Sequence, residues 1–324
     1  MEKPIMRLLS ILTTLVCFSV ALASPAAEQT FAERLGYPAG SRVLIINSDD
    51  VGMCLASTQG SIEGIEAGIV TSVTAMMPCP WVPMFANYVK KNPEVCVGVH
   101  LTFCSEWDDY RFMPVAGKRA VPGLVDEMGC FWDNNKLLLQ HATADEIEIE
   151  IRAQIDRAET MGLKVSHMDS HMWSMFAKPE FLERYVKVAI DKKIPIRIVG
   201  GPVRGYTYAA DPEFVEKCAP HIEKLWEAGL PVLDDMHAAS YGWDTTDKTD
   251  LFIDAIRNLK PGVTEFVVHL TKPDDTTDQI TGGRTHLYGD YKALTNPKIL
   301  EAIKEEGVIL VSWTELMEKR QQVK

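Results

Sequence analysis

The chain has 324 residues, 46% hydrophobic and 24% charged, which is ordinary for a globular protein and ample for a large core. A formal net charge of −12 and a pI near 5.2 leave no basic footprint, which argues against nucleic acid as a partner. The length allows one large domain or two medium ones.

The first segment reads as an export leader. Lys3 and Arg7 give a positive start, Leu8 to Leu22 is an apolar run, and Ala21 and Ala23 fit a small-residue cleavage pattern. The run is short for a membrane span, which needs roughly 20 residues. The expectation is a signal peptide over 1–23 and one domain over 24–324, with the protein periplasmic or secreted. Six cysteines remain in that domain, at 54, 79, 96, 104, 130 and 218, with no CxxC pair among them. Buried free thiols are the reading for these.

From there strands alternate with helices. Val43 to Asn47 predicts a buried strand and Leu55 to Ala67 a helix closed by Gly68. Ile69 to Met77 predicts a second strand, 83–91 a helix, and Val95 to Leu101 a third strand. About forty residues with scattered Gly, Pro and Trp then read as a long excursion. Thr143 to Met161 is an amphipathic helix and Lys164 to Ser170 a fourth strand. The helix at 179–192 leads to a strand at 195–199. The helix at 211–228 carries Pro220 as an expected break, and 231–236 is a sixth strand. Helices at 247–259 and 296–306 precede strands at 265–270 and 308–313, and the C-terminus closes as a helix. This alternation implies parallel strands joined by crossovers. Eight such strands in about 300 residues predict an α/β fold, a distorted TIM-like (β/α)-barrel forming a single catalytic domain. A doubly wound open sheet is the alternative, weakened by the lack of GxGxxG after the first strand.

In a parallel barrel, reactive groups gather at the carboxyl ends of strands. Asp49 and Asp50 follow strand one, and His100 lies near the end of strand three. His167, Asp169 and His171 run along and past strand four. Asp234, Asp235 and His237 follow strand six, and His269 ends strand seven. Adjacent carboxylates repel, and burying them calls for a counter-charge that a divalent cation can supply. Their side chains diverge, so one can bind metal while the other handles protons. In an extended segment His167 and His171 would lie about 13 Å apart. One of them is then a ligand and the other a supporting group. Each feature has a plainer alternative: a helix cap for Asp49 and Asp50, or a hydrogen-bonded core imidazole for His100 or His269.

Three segments together resemble the YdjC-type carbohydrate deacetylases, a polysaccharide deacetylase-like family. They are Asp49-Asp-Val-Gly52, Gly98-Val-His-Leu101 and His167-Met-Asp-Ser-His171. The stretches Gly68 to Ala75 and Thr264 to His269 also look like the family's second and late strands. The resemblance implies a hydrolase of linear amide bonds that removes acetyl from N-acetylated sugars. It implies Asp50, His100 and His171 as ligands of one divalent ion, zinc or magnesium, with Asp49 as general base and His269 as general acid. His167 and Asp169 would support the ligands, and Arg197, Asp234 and Arg284 are weaker candidates for substrate contact. The chain departs from the pattern at Met172-Trp-Ser174 and at Leu270-Thr271. The expected partner is a small carbohydrate, with no stable membrane insertion after leader removal and room for a homodimer. Rival readings are another metal-dependent barrel enzyme, such as a sugar isomerase or esterase, and an exported sugar-binding protein without activity.

Overall fold

The computed structural model describes residues 29–200, 212–282 and 285–323. The leader segment 1–23 and Arg284 lie outside the described residues. Seven strands form one parallel sheet: β1 (Arg42–Val51), β2 (Ser72–Ala75), β3 (Val97–Leu101), β4 (Val165–Ser170), β5 (Asp235–His237), β6 (Gly262–Val268) and β7 (Ile309–Leu310). Their order is β4-β3-β2-β1-β6-β5, with β7 paired to β1. Parallel bridges Met168–Ile196 and Val199–Leu233 carry segment 195–199 between β4 and β5. The sheet therefore curls into a distorted (β/α)-barrel, as the alternation predicts.

The second expected strand is cut to Ser72–Ala75, and three later ones are curtailed too. Pro195 and Pro231 have no N–H to give to a ladder. Segment 195–199 makes only isolated bridges, and β5 starts at Asp235. The last strand stops at Leu310 because Ser312 already caps the next helix, in a capping box with Glu315.

The helices are α1 (Phe31–Arg34), α2 (Leu55–Glu66), α3 (Val82–Val89), α4 (Asn135–His141), α5 (Ala144–Thr160), α6 (Pro179–Lys192), α7 (Pro212–Glu227), α8 (Thr249–Arg257), α9 (Asp275–Thr281), α10 (Thr285–Leu294), α11 (Lys298–Glu305) and α12 (Trp313–Gln322). Pro220 lies inside α7 without ending it, so the expected break does not occur. Sequence periodicity does not reveal α1, α4, α9 or α10, which are short or weakly amphipathic.

Two features of the packing position the site. On α5, Ile147, Ile151 and Ile155 enter the core, while Glu146, Glu150 and Gln154 form a second row at i, i+4 spacing. That row pins the excursion after β3. Glu150 accepts from Val115 and Ala116 N–H at 2.9 and 2.8 Å, Glu146 accepts from Gly123 N–H at 2.6 Å, and Gln154 pairs with the Thr102 backbone. On α2, Gly60 allows the helix to lie against the chain that follows β6. A Cβ there would stand 2.5 Å from the Leu270 carbonyl oxygen. All six cysteines named above are buried and free. Among the described residues, no helix is long and apolar enough to cross a membrane.

Candidate active site

Five of the residues singled out by their strand-end positions converge on one cavity of about 910 Å³ at the carboxyl edge of the sheet. Asp49, Asp50, His100, His171 and His269 line it, together with Glu106, Trp107, Met172, Trp173 and Tyr241.

Adjacent carboxylates reach the same cavity because the end of β1 is irregular. The pairing of β1 with β2 shifts register between Ser48 and Val51, and Asp50 has a φ of 61°. A bulge of this kind re-aims side chains. Asp49 turns toward Arg197 and Asp50 toward the two histidines. Gly52 follows at φ 87°, where a Cβ would collide with Val82.

Asp50 Oδ1, His100 Nε2 and His171 Nδ1 lie 3.2 to 3.4 Å from one another. The far nitrogen of each imidazole is occupied. His100 Nδ1 bonds Asp169 Oδ1 at 2.6 Å, and His171 Nε2 lies 3.0 Å from Glu106 Oε2. With a cation at the triad, each carboxylate would take the far N–H and leave the near nitrogen's lone pair for the metal. Asp50 Oδ1 is buried, faces both near nitrogens and meets no hydrogen-bond geometry among the described residues. Donor atoms about 2.1 Å from a tetrahedral metal would be about 3.4 Å apart, so spacing and chemistry both fit a divalent cation.

Charge supports the same fit. The site gathers five carboxylates, with Asp49, Asp169 and Glu265 on the Arg197 guanidinium and Asp50 and Glu106 on the imidazoles. Burial opposes charge on the imidazoles, yet Asp169 and Asp49 hold His100 well above its usual range. Against the same burial, Glu106 and Asp50 push His171 up to about 9.

Asp49, His100 and Asp169 also cluster closely enough to hold a cation. That place is already served by Arg197. Its guanidinium bonds Asp49 at 2.7 and 2.9 Å, Asp169 at 2.9 Å and Glu265 at 3.0 and 3.1 Å. Burial alone would raise the Asp49 pKa, but Arg197 and His100 hold it far below the usual carboxylate range. Glu265, more strongly affected by burial, is pushed up to about 6. Asn47 and Thr74 donate to Asp49 Oδ1 at 2.9 and 3.3 Å.

His167 stands back from the cavity. It stacks on Trp313, with ring centroids 5.1 Å apart, and its Nε2 meets Asn47 Oδ1 at 3.0 Å, so it reaches Asp49 only through Asn47. His269 Nε2 is 4.0 Å from Asp50 Oδ2.

Two expected substrate contacts need correction. Arg197 is buried and bonds three carboxylates, so it positions Asp49 while bordering the cavity. Asp234 accepts from the backbone N–H groups of Phe31, Ala32 and Val263. It therefore sits at the amino end of β6, roughly 20 Å along the strand from His269. Reading 231–236 as a strand put Asp234 near its carboxyl end, whereas β5 begins only at Asp235. Sequence reasoning also missed Glu106, Asn47, Thr74 and Glu265. Glu106 lies in an excursion with no periodicity to flag it.

A polar cluster buried at the carboxyl edge of a curled parallel sheet places this protein among the (β/α)-barrel proteins that carry their site on strand ends. Within that class, the chain belongs to the YdjC-like protein family, whose profile matches residues 43–305. A carbohydrate deacetylase from Brevibacillus brevis is 34% identical over 275 residues, covering 84% of this chain and 99% of that protein. Another from Thermoanaerobacter pseudethanolicus is 26% identical over 273 residues, covering 84% and 98%. A crystal structure of a candidate cellobiose-phosphate cleavage protein from Enterococcus faecalis superposes with a TM-score of 0.72. It is 25% identical and covers 85% of this chain and 99% of that one.

Proposed function

We propose that this protein is a divalent-metal-dependent deacetylase that hydrolyses the acetamido group of N-acetylated sugars. The observation that carries the reading is the convergence of Asp50 Oδ1, His100 Nε2 and His171 Nδ1 to within 3.2 to 3.4 Å of one another. The carbohydrate deacetylases that match this chain over 84% of its length support the acetyl chemistry.

A divalent ion held by this triad would supply Lewis acidity, making water more acidic and polarising a carbonyl oxygen. Two imidazole donors favour zinc over magnesium, which prefers oxygen. The chain's own residues do the rest. Arg197 keeps Asp49 ionised at neutral pH and fixes its direction. Asp49 then takes a proton as water attacks the acetyl carbonyl carbon. His269 gives a proton to the departing amine as the C–N bond breaks, so water and amide become acetate and a free amino sugar. Asp169 and Glu106 hold the two imidazoles in the tautomers that present lone pairs inward. Trp107, Trp173 and Tyr241 on the cavity wall offer faces on which a sugar ring can stack. The export reading of residues 1–23 joins this proposal, and N-terminal sequencing of protein recovered outside the cytoplasm tests it.

The reading is tested by assaying acetate release from chitooligosaccharides with purified Asp49→Asn and His171→Ala. Loss in both supports it, and full activity in both would falsify the assignment. Acetate without isomerised sugar separates it from an isomerase, and O-acetylated glycans as substrates separate it from an esterase.

A further inference from the structure

The three imidazoles of the site are held in two different ways. His100 and His171 each have a carboxylate on the nitrogen that faces away from the triad, Asp169 and Glu106 respectively. His269 does not: among the described residues its buried Nδ1 has no hydrogen-bond partner. Its placement has to come from its backbone and from the rings around it.

The backbone N–H of His269 donates to Asp290 Oδ2 at 2.9 Å. The other oxygen of Asp290 accepts from Lys248 Nζ at 2.7 Å, and the same Nζ donates to the Ser240 carbonyl at 2.6 Å. Both charged side chains are completely buried. This relay ties four pieces of chain together: the turn at 239–242, the N-cap of α8, the middle of α10 and the end of β6. Tyr241, next to Ser240, sets its ring edge-on to His269 with centroids 5.2 Å apart. At Gly289, the neighbour of Asp290, a Cβ would collide with the Thr245 carbonyl and the Lys248 side chain, so α10 packs against this corner without a spacer.

A buried ion pair is a poor source of stability, because desolvating both charges offsets their attraction. Burial pushes the Lys248 ammonium down and the Asp290 carboxyl up, each against the charged form. Apolar side chains could fill the same space without that cost. They could not hold a carbonyl and an N–H at hydrogen-bond distance.

We infer that the Lys248–Asp290 pair is a positioning device for His269, fixing its backbone directly and the Tyr241 ring through Ser240, so that Nε2 stays beside Asp50. The inference rests on the proposed role of His269 as proton donor.

The test uses two paired variants that leave no orphan charge, which guards against simple unfolding. K248M/D290L removes the acceptor for the His269 N–H. K248M/D290N keeps one in the amide oxygen. With chitooligosaccharides as the probe, the first is expected to lower kcat about 10- to 100-fold, the scale of a displacement of about 1 Å at a reacting group. KM and bound-metal stoichiometry should stay within about two-fold. The second should recover most of the lost kcat. Amide exchange at His269 should quicken in the first variant only. In a His269→Ala background the first variant should cost nothing more, since residues acting as one unit are not additive. Equal exchange in both variants, or an equal loss of activity with and without His269, would overturn the inference. If His269→Ala alone kept full kcat, the proton-donor role would fail, while the exchange contrast would still decide the positioning.

Discussion

Asp49 and Asp50 are neighbours in sequence with opposite surroundings. Arg197 and the amide of Asn47 bond Asp49, while Asp50 faces the near nitrogens of two imidazoles. A bulge and one left-handed residue separate the two roles. Asp49→Asn keeps the hydrogen bonds but loses the basic oxygen. It should lower kcat by about 10²- to 10⁴-fold, the range of a lost general base, while bound metal measured by elemental analysis stays unchanged. Glu106 acts on the metal through His171. Glu106→Gln should weaken zinc affinity by about 10- to 100-fold in a competition titration, the usual effect of losing such an outer partner. Unchanged affinity would mean that Glu106 does not set the His171 tautomer.

At the scale of elements, α5 is the strut on which the excursion carrying Glu106 hangs. Burial pushes its Glu150 up to about 7, against the backbone N–H groups of Val115 and Ala116 that favour ionisation. The folded pKa lies above the ordinary value of 4.5, so the native state binds the extra proton and stability falls as pH rises from about 4.5 to about 7. The full effect is on the order of 3 kcal/mol and is absent below that window. Chemical denaturation across pH 4–8 should show this slope in the wild type and a flatter one in Glu150→Gln.

What the sequence made legible follows the same division. β1 and β3 are apolar runs that end in site residues, and β4 carries His167 and Asp169 at strand period two, so these could be read from position. The pairing of Arg197 with Asp49 spans 148 residues and leaves no local pattern. Glu106 belongs to a loop ordered by contacts with α5, beyond the reach of periodicity. Asp234 was misread because its strand begins only at the next residue, Asp235.

For the whole molecule, a cation bound at the triad would join parts of the chain as far apart as β1 and the turn after β4, so its binding free energy would add to folding free energy. Excess zinc at about 100 times its dissociation constant would contribute about 2.7 kcal/mol. A chelator should therefore lower Tm by several degrees, at roughly 2–4 °C per kcal/mol for a chain of this size. Asp50→Ala should show no such response. The most direct test of the central claim is acetate release from chitooligosaccharides by metal-stripped protein before and after zinc or magnesium is restored, with His171→Ala alongside. The site described here predicts no release from the stripped protein, recovery on metal addition in the wild type, and none in the variant. Full release without metal, or an active His171→Ala, would contradict it.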